Sequence, residues 1–226
     1  MIASPKVSPP AHFRRGASAS RHQARRAGVV SALAAGLSGR ALDYGAGWGD
    51  LTVRLAPQFS SIEGVDVAAE RVSFAAAEYA PIPFHRCDPD GTDYPDASFD
   101  VVFSTVVLHF VPSAEDYLAE CRRLLRPGGR LVMMIQNPES MWMLARRWRT
   151  GTTPRQSWGG SSLREFEQWL GGHGFTVEER AGFYDPPLDH LRRPGDLVIA
   201  AMNAVGHVCS IEDHWSYVGF RCRRSA

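Results

Sequence analysis

The spacing of apolar residues changes period repeatedly along the chain, and each change marks an element. FDVVFST at 99–105 is an almost unbroken apolar and β-branched run, the pattern of a central strand buried on both faces. Shorter runs predict further strands at RALDYG (40–45), SIEGVDV (61–67), PFHRCD (83–88) and RLVMMIQ (130–136). Between them the period lengthens. GDLTVRLAP (49–57) reads as a helix stopped at Pro57, and AAERVSFAAAEY (68–79) as a second. Ser113 and Asp116 form an S-x-x-D capping pair that opens a helix with the stripe Tyr117, Leu118, Cys121, Leu124 and Leu125, ended by RPGG (126–129). HQARRAGVVSALAAGL (22–37) reads as a helix ending near Gly39. Ser162 and Glu165 repeat the capping pair ahead of LREFEQWL (163–170), which stops at Gly171 and Gly172. FTVEERAGF (175–183) and WSYVGFRCR (215–223) alternate and read as strands near one edge.

Strand and helix alternate from residue 40 to 136, which implies a parallel, doubly wound α/β sheet. A chain of 226 residues that is 44% hydrophobic and 22% charged builds a core and is not a disordered chain. The formal net charge of +1 points to neither nucleic acid nor membrane as a global partner. The longest apolar run, VVFSTVVLHFV (101–111), is too short to span a bilayer, and the N-terminus lacks an apolar signal region, so a cytoplasmic location is expected. Residues 1–42 hold no Asp or Glu but include Arg14, Arg15, Arg21, Arg25 and Arg26. That composition is transit-peptide-like, and its plainer reading is a basic arm. Cys87, Cys121, Cys209 and Cys222 form no C-x-x-C pair and no zinc spacing, so they read as free thiols and no metal is expected.

LDYGAGWGD (42–50) carries the candidate chemistry. A strand that turns through Gly45, Gly47 and Gly49 into a helix lets backbone N–H groups approach a ligand closely. Dinucleotide sites order these glycines as G-x-G-x-x-G over a pyrophosphate. Here Asp50 stands where that fingerprint has glycine, and an anionic side chain suits a pyrophosphate poorly. Asp66 ends the second strand, 21 residues beyond Gly45, where a carboxylate can accept both hydroxyls of a ribose. Asp88 ends the third strand, where it can accept an amino N–H from an adenine edge.

LDYGAGWG, then GVD at 64–66, CDPDGTDYPDASFDVV at 87–102 and VLHFVPSAEDYLAECRRLLRPGGRLV at 107–132 together resemble the small-molecule branch of the class I S-adenosylmethionine-dependent methyltransferases. The resemblance covers residues 38–135 well and the C-terminal part only through the expected strand pair. It implies a Rossmann-like, doubly wound sheet of seven strands, mostly parallel with an antiparallel C-terminal strand, and S-adenosyl-L-methionine as cofactor. It further implies that Asp43 supports the loop, that Gly45, Ala46 and Gly47 offer backbone, and that Asp66 takes the ribose. Val67 would pack on adenine, Asp88 would hold its amino group with Pro89 alongside, and Thr105 would offer backbone to the methionine amine. Family members often carry a small residue where Pro89 stands, and proline has no N–H to give to adenine.

Methyl transfer to an oxygen also requires loss of the acceptor's proton, and histidine suits that near neutral pH. Of eight histidines, His109 follows the central strand and is the candidate base; in relatives the same VLH histidine is frequently structural. His190 and His214 could enter an acceptor pocket, and His12 and His22 sit in the arm. Residues 137–160 read as a lid in which Met141, Trp142, Met143, Leu144 and Trp148 line a pocket or pack a helix. Arg146, Arg147 and Arg149 could grip an anionic acceptor or RNA, although no interleaved stacking motif accompanies them. The expected organisation is an N-terminal arm and helix (1–37), a cofactor-binding half (38–136), a lid and helix (137–174) and C-terminal strands completing the same domain (175–226). The expected function is methylation of a small organic acceptor, most simply at a hydroxyl. N- or C-methylation, an RNA or protein acceptor, a nicotinamide-dependent oxidoreductase and a non-catalytic cofactor-binding protein are the alternatives.

Overall fold

The computed structural model describes residues 17–140, 157–160, 162–183 and 215–225. The long apolar strands pair as their burial demands. β1 (Arg40–Tyr44), β2 (Ser61–Asp66), β3 (Phe84–Arg86), β4 (Phe99–Thr105), β5 (Leu125–Gln136), β6 (Phe175–Phe183) and β7 (Tyr217–Arg224) form one sheet in the order β3-β2-β1-β4-β5-β7-β6. Neighbours from β3 to β5 are parallel, and β7 runs antiparallel to both β5 and β6. The expected seven-stranded, mostly parallel sheet with one reversed C-terminal strand is the architecture found.

Side chains on β4 and β5 alternate between two buried layers, which is why both strands read as unbroken apolar runs. Val102, Leu131, Met133 and Ile135 face one layer. There they meet α4 (Ala114–Leu124) and α5 (Leu163–Gly172) through Leu118, Cys121, Phe166 and Leu170. Val101, Phe103, Val132 and Met134 face the other. That layer is closed by α1 (Ala17–Leu33) and α2 (Asp50–Leu55) through Val30, Leu33, Leu51 and Leu55. Each such fully buried aliphatic or aromatic side chain contributes about 1.5–3 kcal/mol. The third crossover helix, α3 (Ala69–Glu78), packs Ala75 against Phe84 beside the glycine loop.

Both caps act as the sequence indicates. Ser113 accepts from the Asp116 N–H at 3.1 Å, and Ser162 with Glu165 forms a complete capping box. Several boundaries differ, three of them instructively. α1 ends at Leu33 rather than 37, because the chain turns through Gly36 in a left-handed conformation (φ 76). α2 has only six residues before a 3₁₀ turn at Ala56–Gln58 takes in Pro57. RPGG follows α4 as expected, yet it lies inside β5, since Leu125 already pairs with Phe99 before the ladder resumes at Arg130 opposite Val101.

The link from β3 to β4 is fixed by charge. Glu120 on α4 accepts from Thr92 N at 2.9 Å and Arg123 Nε at 2.6 Å, while Arg123 reaches the Tyr94 carbonyl. Glu63 in β2 accepts from Tyr94 Oη at 2.7 Å and Arg40 Nη2 at 2.8 Å. Burial disfavours the Glu120 carboxylate, but the hydrogen bonds from Arg123 and Thr92 outweigh it and hold its pKa below the ordinary value. These bonds anchor the segment that follows Asp88. Among the described residues no helix is long and apolar enough to cross a membrane. His12, Met141, Trp142, Met143, Leu144, Arg146, Arg147, Trp148, Arg149, His190, Cys209 and His214 lie outside the described residues. Cys87, Cys121 and Cys222 are buried free thiols.

Candidate functional site

The carboxyl ends of β1, β2 and β4 are adjacent, and the glycine loop is tied across them. Gly45 N and Ala46 N both donate to the Val65 carbonyl, at 2.8 and 2.9 Å. Gly47 N donates to Asp66 Oδ2 at 2.9 Å, and Ala68 N to Asp66 Oδ1 at 2.9 Å. The three glycines serve different ends. A Cβ on Gly45 would lie 2.3 Å from Val107, and one on Gly49 would lie 2.8 Å from Phe84 and 3.0 Å from Ala75. Gly47 alone faces open space, with nothing within 4 Å. The third glycine is therefore a packing residue beneath α3, whereas the backbone of Gly47 faces open space.

Asp66 is buried, and each of its oxygens accepts one backbone N–H, leaving one further lone pair apiece for ribose hydroxyls. Asp43 is only 1% exposed. Its Oδ2 accepts from Thr52 Oγ1 at 2.7 Å, and its Oδ1 has no partner. Burial pushes its pKa up to about 6, opposed by the Thr52 hydrogen bond and the charge of Arg26. Asp50, at the start of α2, does not stand alone. Arg26 from α1 reaches its Oδ2 at 2.9 Å, so the charge that argued against a phosphate is paired within the protein.

Thr105 is buried at the end of β4, and the next residue, Val106, has φ 60. A β-branched residue in the left-handed region is strained by about 1–3 kcal/mol, and such strain collects at ligand sites. Val106 N bonds the Met134 carbonyl at 2.8 Å, and Val107 presses on Gly45, which locks the turn against both neighbouring strands. His109 is half-buried, and its Nε2 accepts from Gln136 N at 3.2 Å. Burial lowers its pKa, so the ring is neutral with its proton on Nδ1. In this geometry the Nε2 lone pair is occupied in joining the loop after β4 to the end of β5.

Val67 follows Asp66 and is 49% exposed, an apolar surface available for an adenine face. Asp88 and Pro89 are exposed after β3. Asp88 borders a cleft of about 430 Å³ whose walls include Val65, Arg86, Cys87, Thr92 and Tyr94. None of the other expected cofactor residues lines that cleft, which lies toward the edge strand from the glycine loop. Thr52 and Arg26 were not singled out from the sequence as site residues. Thr52 was legible as a hydroxyl two residues into α2; Arg26 is one of several arginines in a basic arm, and nothing local distinguishes it.

Residues 42–133 match the family model described as a methyltransferase domain. This is a class I S-adenosylmethionine-dependent methyltransferase domain. The chain is 30% identical over 173 residues to trans-aconitate 2-methyltransferase of Deinococcus radiodurans, covering 73% of this chain and 60% of that protein. It is 29% identical over 166 residues to ubiquinone biosynthesis O-methyltransferase of Paramagnetospirillum magneticum, covering 69% of this chain and 66% of that protein. The chain thus spans less than two thirds of the length of these curated relatives. In fold it superposes with a TM-score of 0.67 on the methyltransferase solved with the Haloferax volcanii Trm112 activator, at 18% identity over 96% of this chain and 97% of that one.

The methyltransferase domain uses S-adenosyl-L-methionine, and its residues fit that group. The buried Asp43 Oδ1 lacks a donor, Gly47 opens onto free space, and Val67 exposes an apolar surface beside a carboxylate. Asp43, Gly45, Ala46, Gly47, Asp66 and Thr105 line the junction of three strand ends, while Asp88 and Pro89 stand one strand further out.

Proposed function

We propose that this protein transfers a methyl group from S-adenosylmethionine to a small organic acceptor, at a hydroxyl or carboxyl oxygen. The observation that carries the reading is the junction of glycine loop and acids, with Gly47 bare toward free space and Asp66 holding that loop by its own carboxylate. The cofactor supplies a methyl already activated on a sulfonium, which leaves the chain mainly the work of positioning. Asp66 takes the ribose hydroxyls, Val67 packs on the adenine, and Asp88 holds the adenine amino group. Pro89, lacking an N–H, adds only apolar contact there. Thr105, followed by the strained Val106, would offer backbone at the end of β4 to the methionine amine of the cofactor.

His109 orders the acceptor side by bonding Gln136 N, and its Nε2 lone pair is not available for an acceptor proton. An oxygen acidic enough to ionise in water needs no such base, which favours phenols, enols and carboxylic acids as acceptors. The oxygen preference is supported by the relative named as an O-methyltransferase. In organisation, residues 38–136 form the cofactor-binding half, and β6 and β7 complete the same sheet.

Thermal shift with S-adenosylmethionine, S-adenosylhomocysteine and NAD tests the cofactor. Stabilisation by the first two alone is expected, and stabilisation by NAD alone overturns the reading. Incubation with methyl-labelled cofactor and pooled small phenols and carboxylic acids then tests the acceptor. Label confined to amines would replace oxygen by nitrogen as the target.

A further inference from the structure

β1 and β4 separate before they end. Their main-chain pairing joins Ala41 to Val101, Leu42 to Val102 and Asp43 to Phe103, and stops there. Beyond it Tyr44 stays paired with Val65 of β2, while Ser104 and Thr105 stay paired with Met133 and Met134 of β5. The sheet therefore splits at its carboxyl end. The helices that follow the two strands, α2 and α4, lie on opposite faces, and a doubly wound sheet holds its ligand in the crevice at such a point. On one side of the split, Gly45 N and Ala46 N hold the glycine loop to β2. On the other, Val106 N donates to the Met134 carbonyl and His109 Nε2 accepts from Gln136 N, which holds the turn after β4 to β5.

Tyr117 of α4 spans this split from within the core. Its hydroxyl donates to the Tyr44 carbonyl at 3.0 Å and hydrogen-bonds Ser104 Oγ at 3.0 Å, one partner on each side. Its ring stacks on that of Tyr44, with centroids 4.6 Å apart. Tyr44, Ser104 and Tyr117 are all buried. A hydroxyl on the apolar stripe of a core helix has a desolvation cost that phenylalanine would avoid. It stands where main-chain pairing ends, and a second buried hydroxyl, Ser104, meets it there. We propose that Tyr117 is a positioning residue for methyl transfer, whose hydroxyl sets the spacing between the donor loop after β1 and the acceptor-side turn after β4. The division into donor and acceptor sides rests on the function proposed above. Tyr117 acts through the Tyr44 carbonyl, next to Gly45, and through Ser104, two residues before Val106. The two sides already touch, since Val107 fills the space that a Gly45 Cβ would need, so each feels a change in spacing. An in-line displacement tolerates little of it: a shift of about 1 Å can cost about 100-fold in rate.

Tyr117→Phe keeps the ring stack and removes only the hydroxyl. Amide hydrogen exchange in the ligand-free variant should be about tenfold faster at Gly45–Gly47 and at Val106, the scale of one lost hydrogen bond, and unchanged at Ile62–Val65 in β2. Affinity for S-adenosylhomocysteine, read by calorimetry, should stay within about threefold of wild type, because Asp66, Val67 and Asp88 are untouched. Transfer from methyl-labelled cofactor to the pooled phenols and carboxylic acids should lose about tenfold or more in kcat with KM little changed. Leu118→Val is the control, since it trims the same helix in the core without touching the hydroxyl. It should lower the melting temperature at least as much while leaving kcat and the exchange pattern as in wild type. Ser104→Ala breaks only the β4 side and should reproduce part of the kcat loss. Exchange in Tyr117→Phe that rises uniformly across the sheet, or a kcat equal to that of wild type, overturns the proposal and leaves the hydroxyl as a packing feature. Wild-type protein that binds S-adenosylhomocysteine but labels none of the pool overturns the oxygen-acceptor reading, and the exchange pattern then decides the role of Tyr117. Folded wild-type protein that does not bind S-adenosylhomocysteine overturns the cofactor reading itself.

Discussion

At the residue scale, Asp43 is a buried acid whose ionisation costs stability. It titrates near 3.8 in the unfolded chain and near 6 in the folded protein. Below the lower value both states hold the proton. Between the two only the folded state does, so stability falls as pH rises through that window, by about 3 kcal/mol in all. Asp43→Asn removes this loss. Urea unfolding from pH 4 to 7.5 should show the variant drawing ahead of wild type until pH 6 and keeping a constant lead above it. His109 is different, since its lowered pKa and its bond to Gln136 give it a structural task. His109→Gln should reduce kcat by about tenfold or less, against the roughly 100- to 10,000-fold expected for loss of a general base. The wild-type single-turnover pH profile should lack a histidine-like limb between pH 5.5 and 9; such a limb, lost in the variant, would restore His109 as the base.

At the scale of elements, the strand-to-helix turn after β1 holds an open glycine and packed ones within five residues. Gly47 and Gly49 both have positive φ, yet one faces open space and the other touches Phe84 and Ala75. Gly47→Ala should keep the fold with a loss of about 1 kcal/mol from backbone strain, and should weaken the cofactor sharply. Gly49→Ala carries the same strain plus a collision, so its melting temperature should fall well below that of Gly47→Ala. Equal melting temperatures would remove the packing role of Gly49. Much of this turn was legible in the sequence, because glycine spacing and a carboxylate at a strand end are local signals. The division of labour among the glycines was not, since it depends on Phe84 from β3 and Val107 beyond β4. The pairing of Arg26 with Asp50 was hidden for the same reason: α1 returns to the loop only after the sheet has formed. The end of α1 was misjudged because Ala34 and Ala35 suit a helix, and the left-handed Gly36 overrides them.

At the scale of the molecule, alternation of strand and helix fixed the parallel half of the sheet, and alternating polarity in 175–183 and 215–223 placed two strands at an edge. The order in which those two join β5 was not legible, because period alone carries no neighbour information. β7 proves to be the inner strand, with Met133 opposite Phe220 and Ala181 opposite Gly219. Deleting residues 215–226 should therefore leave two unpaired ladders rather than one. Soluble yield and a cooperative melting transition should both be lost, whereas a well-folded truncated protein would show that β5 and β6 tolerate separation.

The position of β7 also bears on how the chain is made. The last of the seven strands to leave the ribosome is the one that joins β6 to the rest of the sheet. Until then β5 offers its long apolar flank, Leu131 to Ile135, with one backbone edge bare. Unpaired edges of this kind recruit other chains. In the finished fold this edge of β5 is covered only by β7, so slowing translation ahead of residue 215 should raise aggregation without altering any contact of that fold.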